Sequence, residues 1–254
     1  DQNDMKFILA DVNSGDFTEV YRETRPTWID FFEDIYIMKD GSGFIVRSCR
    51  NDWYNLYYYG WDGNLKSQIT NFEWKVTDIA RVDESKKEIY FNGTGPDLLG
   101  GHLFRAKLDG SKLLQITSGD GSHTASVSPG GSYFFETWSS ISDPGGINLL
   151  DRKGKVVRSI HREKVPAYDA SKHQKVELVK IRTSDGLFDM PAIITYPLNF
   201  DPAAKYPVVF TIYGGPDAGS IRNRWQGVQP RWYAENGIVT ISVDHRGSGV
   251  FGKK

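Results

Sequence analysis

The sequence has little of several features that would assign it to a class at once. Its 254 residues contain a single cysteine, Cys49, so no disulfide can form within the chain. No apolar run approaches the roughly 20 residues that a helix needs to cross a bilayer, so no membrane span is predicted. The formal net charge is -1, which removes the electrostatic argument for nucleic acid as a partner.

The usual signatures of catalytic and ligand sites are also missing. The nucleophile elbow Gly-x-Ser-x-Gly does not occur anywhere in the chain. The five histidines show no metal-ligand spacing, so each is expected to be an ordinary surface or rim residue, and neither a metal nor a cofactor is predicted. The N-terminus, DQNDMKFILADVNSGD, lacks a basic segment followed by an apolar core, so no signal peptide is predicted in this chain.

What the sequence does contain is an internal repeat of about 45 residues. Asp62-Gly63, Asp109-Gly110 and Lys153-Gly154 each separate two short runs of alternating apolar residues, and their glycines are 47 and 44 positions apart. Glycine accepts the positive φ that tight hairpins require, so each pair predicts a hairpin turn.

Each repeat also contains a second turn, which precedes the hairpin turn at a similar distance in all three. The three earlier turns are Asp40-Gly41-Ser42-Gly43, Asp83-Glu84-Ser85-Lys86 and Ser128-Pro129-Gly130-Gly131. A four-stranded antiparallel unit of this length has the size of a β-propeller blade. We therefore predict three blades, at about 26–70, 71–117 and 118–162, preceded by the closing hairpin of a fourth. A β-sandwich with coincidental spacing is the alternative.

The last ninety residues follow a different pattern. PVVFTIYGGP is a nearly continuous apolar run, typical of a strand buried on both faces. RNRWQGVQPRWYAENG has near-helical spacing around Pro230 and a helix stop at Gly237, and GIVTISVD predicts a second buried strand. Strand, helix and strand in this order indicate an α/β unit with a parallel pair, which begins near residues 165–175.

Two short segments in this region could carry chemistry. In VDHRGSGVFGKK, the spacing from Gly247 to Gly252 and Lys253 is one residue short of a phosphate-binding loop, and Lys254 stands where that loop needs Ser or Thr. Tyr213-Gly214-Gly215-Pro216 is either a strand-end tyrosine before an ordinary turn or an oxyanion-hole loop of the α/β-hydrolase kind.

Two segments of this region occur together: YGGP follows PVVFTI, and VDHRGSGVFGKK comes about thirty residues later. This combination resembles the serine peptidases of the prolyl oligopeptidase family, and within it the dipeptidyl peptidase IV branch. GSHTASVSPGGSYFFETWSS is similar to the last propeller blade of that family, and TWIDFF resembles a substrate-side loop. The resemblance implies a mostly β chain, a partial β-propeller of about three and a half blades followed by the first strands of an α/β-hydrolase domain. The domains would be 1–165 and 166–254.

The resemblance also implies a function. The chain would be part of a serine exopeptidase that releases dipeptides of the X-Pro or X-Ala type, inactive alone because the Ser, Asp and His triad lies beyond Lys254. Tyr213 would stabilise the oxyanion, and Phe32 would line a substrate pocket. Arg246 would tie its loop down, and His245 stands where the family often has glycine, so no role is assigned to it.

Further expectations concern the complete protein and the competing functions. The complete protein would bind a peptide substrate, form a homodimer and be periplasmic or secreted. This chain would be a piece of that protein. A non-catalytic β-propeller binding module is the alternative, and a nucleotide-binding protein that uses 247–253 is a third possibility.

Overall fold

The computed structural model describes residues 2–29, 35–165, 175–227 and 231–253. Within these ranges the chain is almost entirely β-sheet, with one short helix. By packing it divides into two compact units, one of Asp1–Pro96, Leu103–Ile116 and Gly252–Lys254, the other of Asp97–His102 and Thr117–Phe251. The predicted domain boundary at 165/166 adjoins residues 166–174, which lie outside the described residues, so it stays a prediction.

Three four-stranded antiparallel sheets succeed one another along the chain, each a simple meander. The first sheet contains β3 (Tyr36–Ile37), β4 (Phe44–Ser48), β5 (Asn55–Tyr59) and β6 (Leu65–Gln68). The second contains β7 (Val76–Asp83), β8 (Glu88–Gly93), β9 (His102–Lys107) and β10 (Leu114–Gln115). The third contains β11 (Ser122–Val127), β12 (Tyr133–Ser140), β13 (Asp143–Asp151) and β14 (Val156–Arg162).

A two-stranded hairpin precedes these sheets, formed by β1 (Asp4–Ala10) and β2 (Phe17–Thr24). The four pieces coincide with the three predicted blades and the closing hairpin of a fourth. The chain is thus mostly β and contains about three and a half blades of a β-propeller, as predicted. The sandwich alternative does not fit a succession of separate four-stranded meanders.

The hairpin glycines explain why the repeat was visible in the sequence. φ is +78° at Gly63, +83° at Gly110 and +83° at Gly154. In every case the residue three positions earlier donates its N–H to the carbonyl of the residue after the glycine, at 2.8–2.9 Å. This is a three-residue loop, a type I turn that ends in a left-handed residue, and only glycine adopts that conformation without cost.

The core of the first unit is aromatic. Tyr21, Phe44 and Tyr59 are buried together with Val20, Val46 and Tyr57. The rings of Phe44 and Tyr59 stack with centroids 5.9 Å apart, and Tyr21 meets Tyr59 edge-on at 5.2 Å. Rings of this size bury enough apolar area to dominate the packing of short strands.

The last sheet is mixed rather than antiparallel. It contains β15 (Val176–Arg182), β16 (Asp189–Thr195), β17 (Val208–Thr211) and β18 (Val239–Val243), in the order β15-β16-β18-β17. β17 and β18 are parallel, with Thr211 beside Ser242. The predicted parallel pair is therefore present.

The prediction that β17 is buried on both faces is wrong for this chain. Val208 is 48% and Phe210 61% exposed, because β17 lies at the edge of its sheet and no described element covers it. An apolar run indicates that a strand can be buried. The actual burial of the strand depends on the elements that pack around it.

One helix, α1 (Arg231–Glu235), connects β17 to β18. It starts directly after Pro230 in the sequence, in keeping with the exclusion of proline from helix interiors. Trp225, the first apolar residue of the near-helical pattern, lies in an irregular segment. The predicted stop is confirmed: Gly237 has φ +71° and donates to Ala234, while Ile238 donates to Tyr233, the pattern of a Schellman cap.

Candidate functional site

Two glycine-containing loops leave the same edge of the mixed sheet. Parallel strands have their carboxyl ends at one edge, so the loop after β17 and the loop after β18 emerge side by side. We call residues 212–217 the tyrosine loop and residues 244–249 the arginine loop. A hydrogen bond joins them directly, because the N–H of Asp217 donates to the carbonyl of Gly247 at 3.0 Å. Just after the tyrosine loop, the N–H of Gly219 donates to the carbonyl of Ser248 at 2.8 Å.

Asp244 anchors this junction. Its carboxylate is buried and accepts the backbone N–H of Ser220 at 2.9 Å, the Ser220 hydroxyl at 3.1 Å and the N–H of Ile221 at 2.8 Å. Hydrogen bonds to a carboxylate are stronger than neutral ones, and three of them satisfy a buried charge. Nearby, burial lowers the pKa of the Arg222 guanidinium, an effect that the charge of Asp244 opposes.

Gly249 of the arginine loop and Gly219, just after the tyrosine loop, are needed for close approach rather than for phosphate binding. Gly249 has φ +81°, and a Cβ there would overlap the Asp217 carboxylate. A Cβ at Gly219 would lie 2.9 Å from a methyl carbon of Val250. A phosphate-binding loop opens a helix, but residues 250–253 form turns. The nucleotide interpretation is therefore not supported by this part of the chain.

Tyr213 lies two residues beyond the end of β17, in the tyrosine loop, and its side chain is 66% exposed. The ring folds back over Gly215: a Cβ at that glycine would be 2.6 Å from Cε1 of the tyrosine and 3.1 Å from its hydroxyl oxygen. A glycine is thus required at 215 for the ring to take this position. The structure places Tyr213 at the predicted edge, and its role stays a prediction.

Arg246 is tied to the mixed sheet. Its Nη1 donates to Oδ2 of Asp185 at 2.9 Å, and its guanidinium lies 5.5 Å from the ring centroid of Phe188. The hydroxyl of Thr183 and the N–H of Leu187 hold the pKa of the Asp185 carboxyl below its ordinary value, and Arg246 adds to this. These contacts agree with the loop-tying role expected from the sequence.

His245, to which the sequence assigned no role, contacts both loops of this site. Its Nε2 lies 3.2 Å from the carbonyl oxygen of Gly215 in the tyrosine loop, and its Nδ1 accepts the N–H of Gly247 at 3.1 Å. The imidazole therefore bridges the two loops. A histidine directly after a strand-end aspartate is the available signal, but the contact joins residues thirty positions apart, and no spacing rule predicts it.

The other predicted site residue, Phe32, lies outside the described residues. Among the residues that are described, no group of three or more His, Cys, Asp or Glu side chains is arranged to hold a metal ion. The same described residues include no helix with the length and hydropathy of a membrane span.

Comparison with known proteins gives a consistent result. Residues 1–145 match the family model described as the dipeptidyl peptidase IV (DPP IV) N-terminal region. The whole chain is 30% identical to dipeptidyl peptidase 4 of Arthroderma otae over 270 residues, which covers 34% of that protein. A probable dipeptidyl-aminopeptidase B of Botryotinia fuckeliana is 28% identical over 98% of this chain and 29% of its own length.

Solved structures have the same fold. The crystal structure of Porphyromonas gingivalis dipeptidyl peptidase 4 matches 96% of this chain and 35% of its own, with a TM-score of 0.85 at 23% identity. A putative dipeptidyl aminopeptidase IV from Bacteroides ovatus matches 99% of this chain and 39% of its own, with a TM-score of 0.86 at 25% identity.

The chain spans about a third of the length of the curated relatives it matches. More than half of it falls within the family model, and the blades, the turn register and the relatives agree. The chain belongs to the dipeptidyl peptidase IV family.

Proposed function

We propose that this chain is the part of a serine-type dipeptidyl peptidase that carries the oxyanion donor, Tyr213. The observation that carries the proposal is the position of Tyr213, exposed at the carboxyl edge of a parallel strand pair, in a loop hydrogen-bonded to the loop after the neighbouring strand. In open α/β sheets this edge is where ligands bind and where reacting groups are placed. The mixed sheet would be the first part of an α/β-hydrolase domain.

The chemistry assigned to Tyr213 is electrostatic. When a serine Oγ attacks the scissile carbonyl carbon, the electron pair of the C=O bond moves to the oxygen, and a phenol O–H aimed at that oxygen stabilises the charge. The serine, its general base and the orienting aspartate would come from residues outside this chain, since the relatives are about three times as long. The 254-residue chain assayed alone is then expected to show no turnover.

The test replaces the phenol by an isosteric ring. In the full-length protein, Tyr213→Phe is expected to lower kcat on a Gly-Pro chromogenic substrate by about 10²–10³-fold with little change in KM, the usual effect of removing one oxyanion donor. Tyr133→Phe is the matched control, because Tyr133 is also exposed but lies on the third blade sheet. An unchanged kcat in Tyr213→Phe would contradict the proposal.

A further inference from the structure

The hydrogen bonds of His245 determine which of its ring nitrogens carries the proton. The partner of Nδ1 is the N–H of Gly247, which can only donate, so Nδ1 accepts. The partner of Nε2 is the carbonyl oxygen of Gly215, which can only accept, so Nε2 carries the proton and donates. One neutral tautomer satisfies both contacts, and the imidazole joins the arginine loop to the tyrosine loop through it.

The carbonyl that His245 holds belongs to the residue on which the Tyr213 ring lies. The ring covers the α-carbon of Gly215 closely enough to exclude any side chain there. A shift of the Gly215 peptide therefore moves the surface that supports the ring. The tyrosine loop also follows an exposed edge strand, β17, so contacts from the arginine loop contribute to its position.

We propose that His245 is a positioning residue for the reaction: its bond to the Gly215 carbonyl holds the tyrosine loop so that the Tyr213 hydroxyl points at the developing oxyanion. The inference rests on the proposed function of Tyr213. His245 itself touches neither the substrate nor the reacting atoms in this account, and it transfers no proton. Small errors in the position of a catalytic group reduce the rate strongly, which is why such a support matters.

Two substitutions separate the two nitrogens of the ring. In His245→Asn the side-chain oxygen can replace Nδ1 as the acceptor for the N–H of Gly247, but the asparagine side chain is too short to reach the carbonyl of Gly215. In His245→Gln the amide N–H can replace Nε2 and keep the bond to Gly215. Both variants are assayed in the full-length protein with a Gly-Pro chromogenic substrate. We expect His245→Asn to lower kcat by about three- to tenfold, which is the effect of one lost hydrogen bond. His245→Gln is expected to retain most of the wild-type kcat.

The matched control is His161→Asn. His161 lies on β14 with its side chain about half exposed and contacts Glu163 at 3.2 Å, away from the two loops. Its replacement is expected to leave kcat and KM unchanged. The thermal midpoint of each variant is measured alongside the kinetics, so that a loss of folding is not read as a loss of positioning.

A double-mutant cycle tests whether His245 acts through Tyr213. If it does, His245→Asn lowers kcat in the wild-type background and has no further effect in Tyr213→Phe, because the donor it positions is gone. An equal loss in both backgrounds would show a general structural role and overturn the inference. Gly215→Ala supplies a second route, since a methyl group there displaces the ring without changing His245 and is expected to lower kcat in the same way.

The outcomes also separate the two proposals. If Tyr213→Phe lowers kcat and His245→Asn leaves it unchanged, the positioning inference is wrong and the function of Tyr213 stands, whatever the effect of Gly215→Ala. If Tyr213→Phe leaves kcat unchanged, the proposed function is wrong and the inference falls with it.

Discussion

Glu136 is a buried carboxylate away from the candidate site, and its neighbours explain how it is tolerated. His123 Nδ1 lies 2.8 Å from one of its oxygens, and Asn148 donates to the other at 3.0 Å. Burial alone would raise the pKa of Glu136, but the hydrogen bonds from His123 and Asn148 outweigh it, so the pKa lies below its ordinary value. His102 stacks on His123 with ring centroids 5.0 Å apart.

The expectation that every histidine is a surface or rim residue is therefore wrong for His102 and His123, which are 7% and 5% exposed. His123 occupies an inward position in the alternating pattern of β11, and its hydrogen bond to Glu136 compensates its burial. Composition does not reveal such a pair, because the two partners lie on neighbouring strands.

This cluster predicts sensitivity to acid. Burial lowers the pKa of His102 below its ordinary value of 6.5, the nearby His123 lowers it further, and Asp97 and Glu136 oppose this. Below pH 6.5 the unfolded chain then binds more protons than the folded chain, so the free energy of unfolding falls as the pH drops. Glu136, with its depressed pKa, adds a loss in the same direction at lower pH.

The measurement is the thermal midpoint of wild type and His102→Gln between about pH 5 and pH 8. The variant is expected to be less stable at neutral pH but to lose less stability on acidification. His161→Gln, at an exposed histidine, is the control and should follow the wild-type profile. An unchanged pH profile in His102→Gln would contradict this explanation.

At the scale of elements, the first turn of each blade sheet uses the same backbone conformation at its fourth position, counted from the residue whose carbonyl accepts the hydrogen bond of the turn. That position is Gly41 in the first sheet, Lys87 in the second and Gly131 in the third, with φ of +73°, +52° and +62°. In each turn this residue donates its N–H to the carbonyl three positions earlier. Lysine at 87 therefore occupies a left-handed position that its two counterparts fill with glycine.

Lys87→Gly is accordingly expected to raise the free energy of unfolding by about 0.5–1 kcal/mol, because the strain of a left-handed lysine exceeds the entropy that glycine adds to the unfolded chain. Lys153→Gly is the matched control, because Lys153 is exposed in a turn and has no positive φ. This substitution is expected to destabilise the protein. Denaturant midpoints measure both. A lower midpoint for Lys87→Gly would refute the expected strain.

At the scale of the whole molecule, apolar side chains remain exposed on two blade pieces. The third sheet exposes Tyr133, Phe135, Val157 and Ile160 by 45–56%, and the β1–β2 hairpin exposes Ile8 and Phe17 by 55% and 74%. Large exposed apolar side chains that cluster on one face are typical of interaction surfaces. In a longer protein of this family, we expect further blades to cover the side chains named above.

The 254-residue chain on its own is therefore expected to self-associate in a concentration-dependent way, as measured by sedimentation velocity. Phe135→Lys should weaken the association by placing a charge on the exposed face of β12. Val12→Lys is the control, since Val12 is 95% exposed in the turn between β1 and β2 and lies outside any sheet face. A monomer at all concentrations would contradict the expectation.

The repeat, the hairpins and the parallel pair follow from short stretches of sequence, because a left-handed turn residue or an apolar run is a local requirement. The candidate Tyr213 was visible for the same reason, at the end of a strand before two glycines. The burial of His102, the exposure of β17 and the bridge from His245 to Gly215 depended on the folded chain. These features are set by which strands pair and in which register, and contacts between residues tens of positions apart leave no local pattern in the amino-acid order.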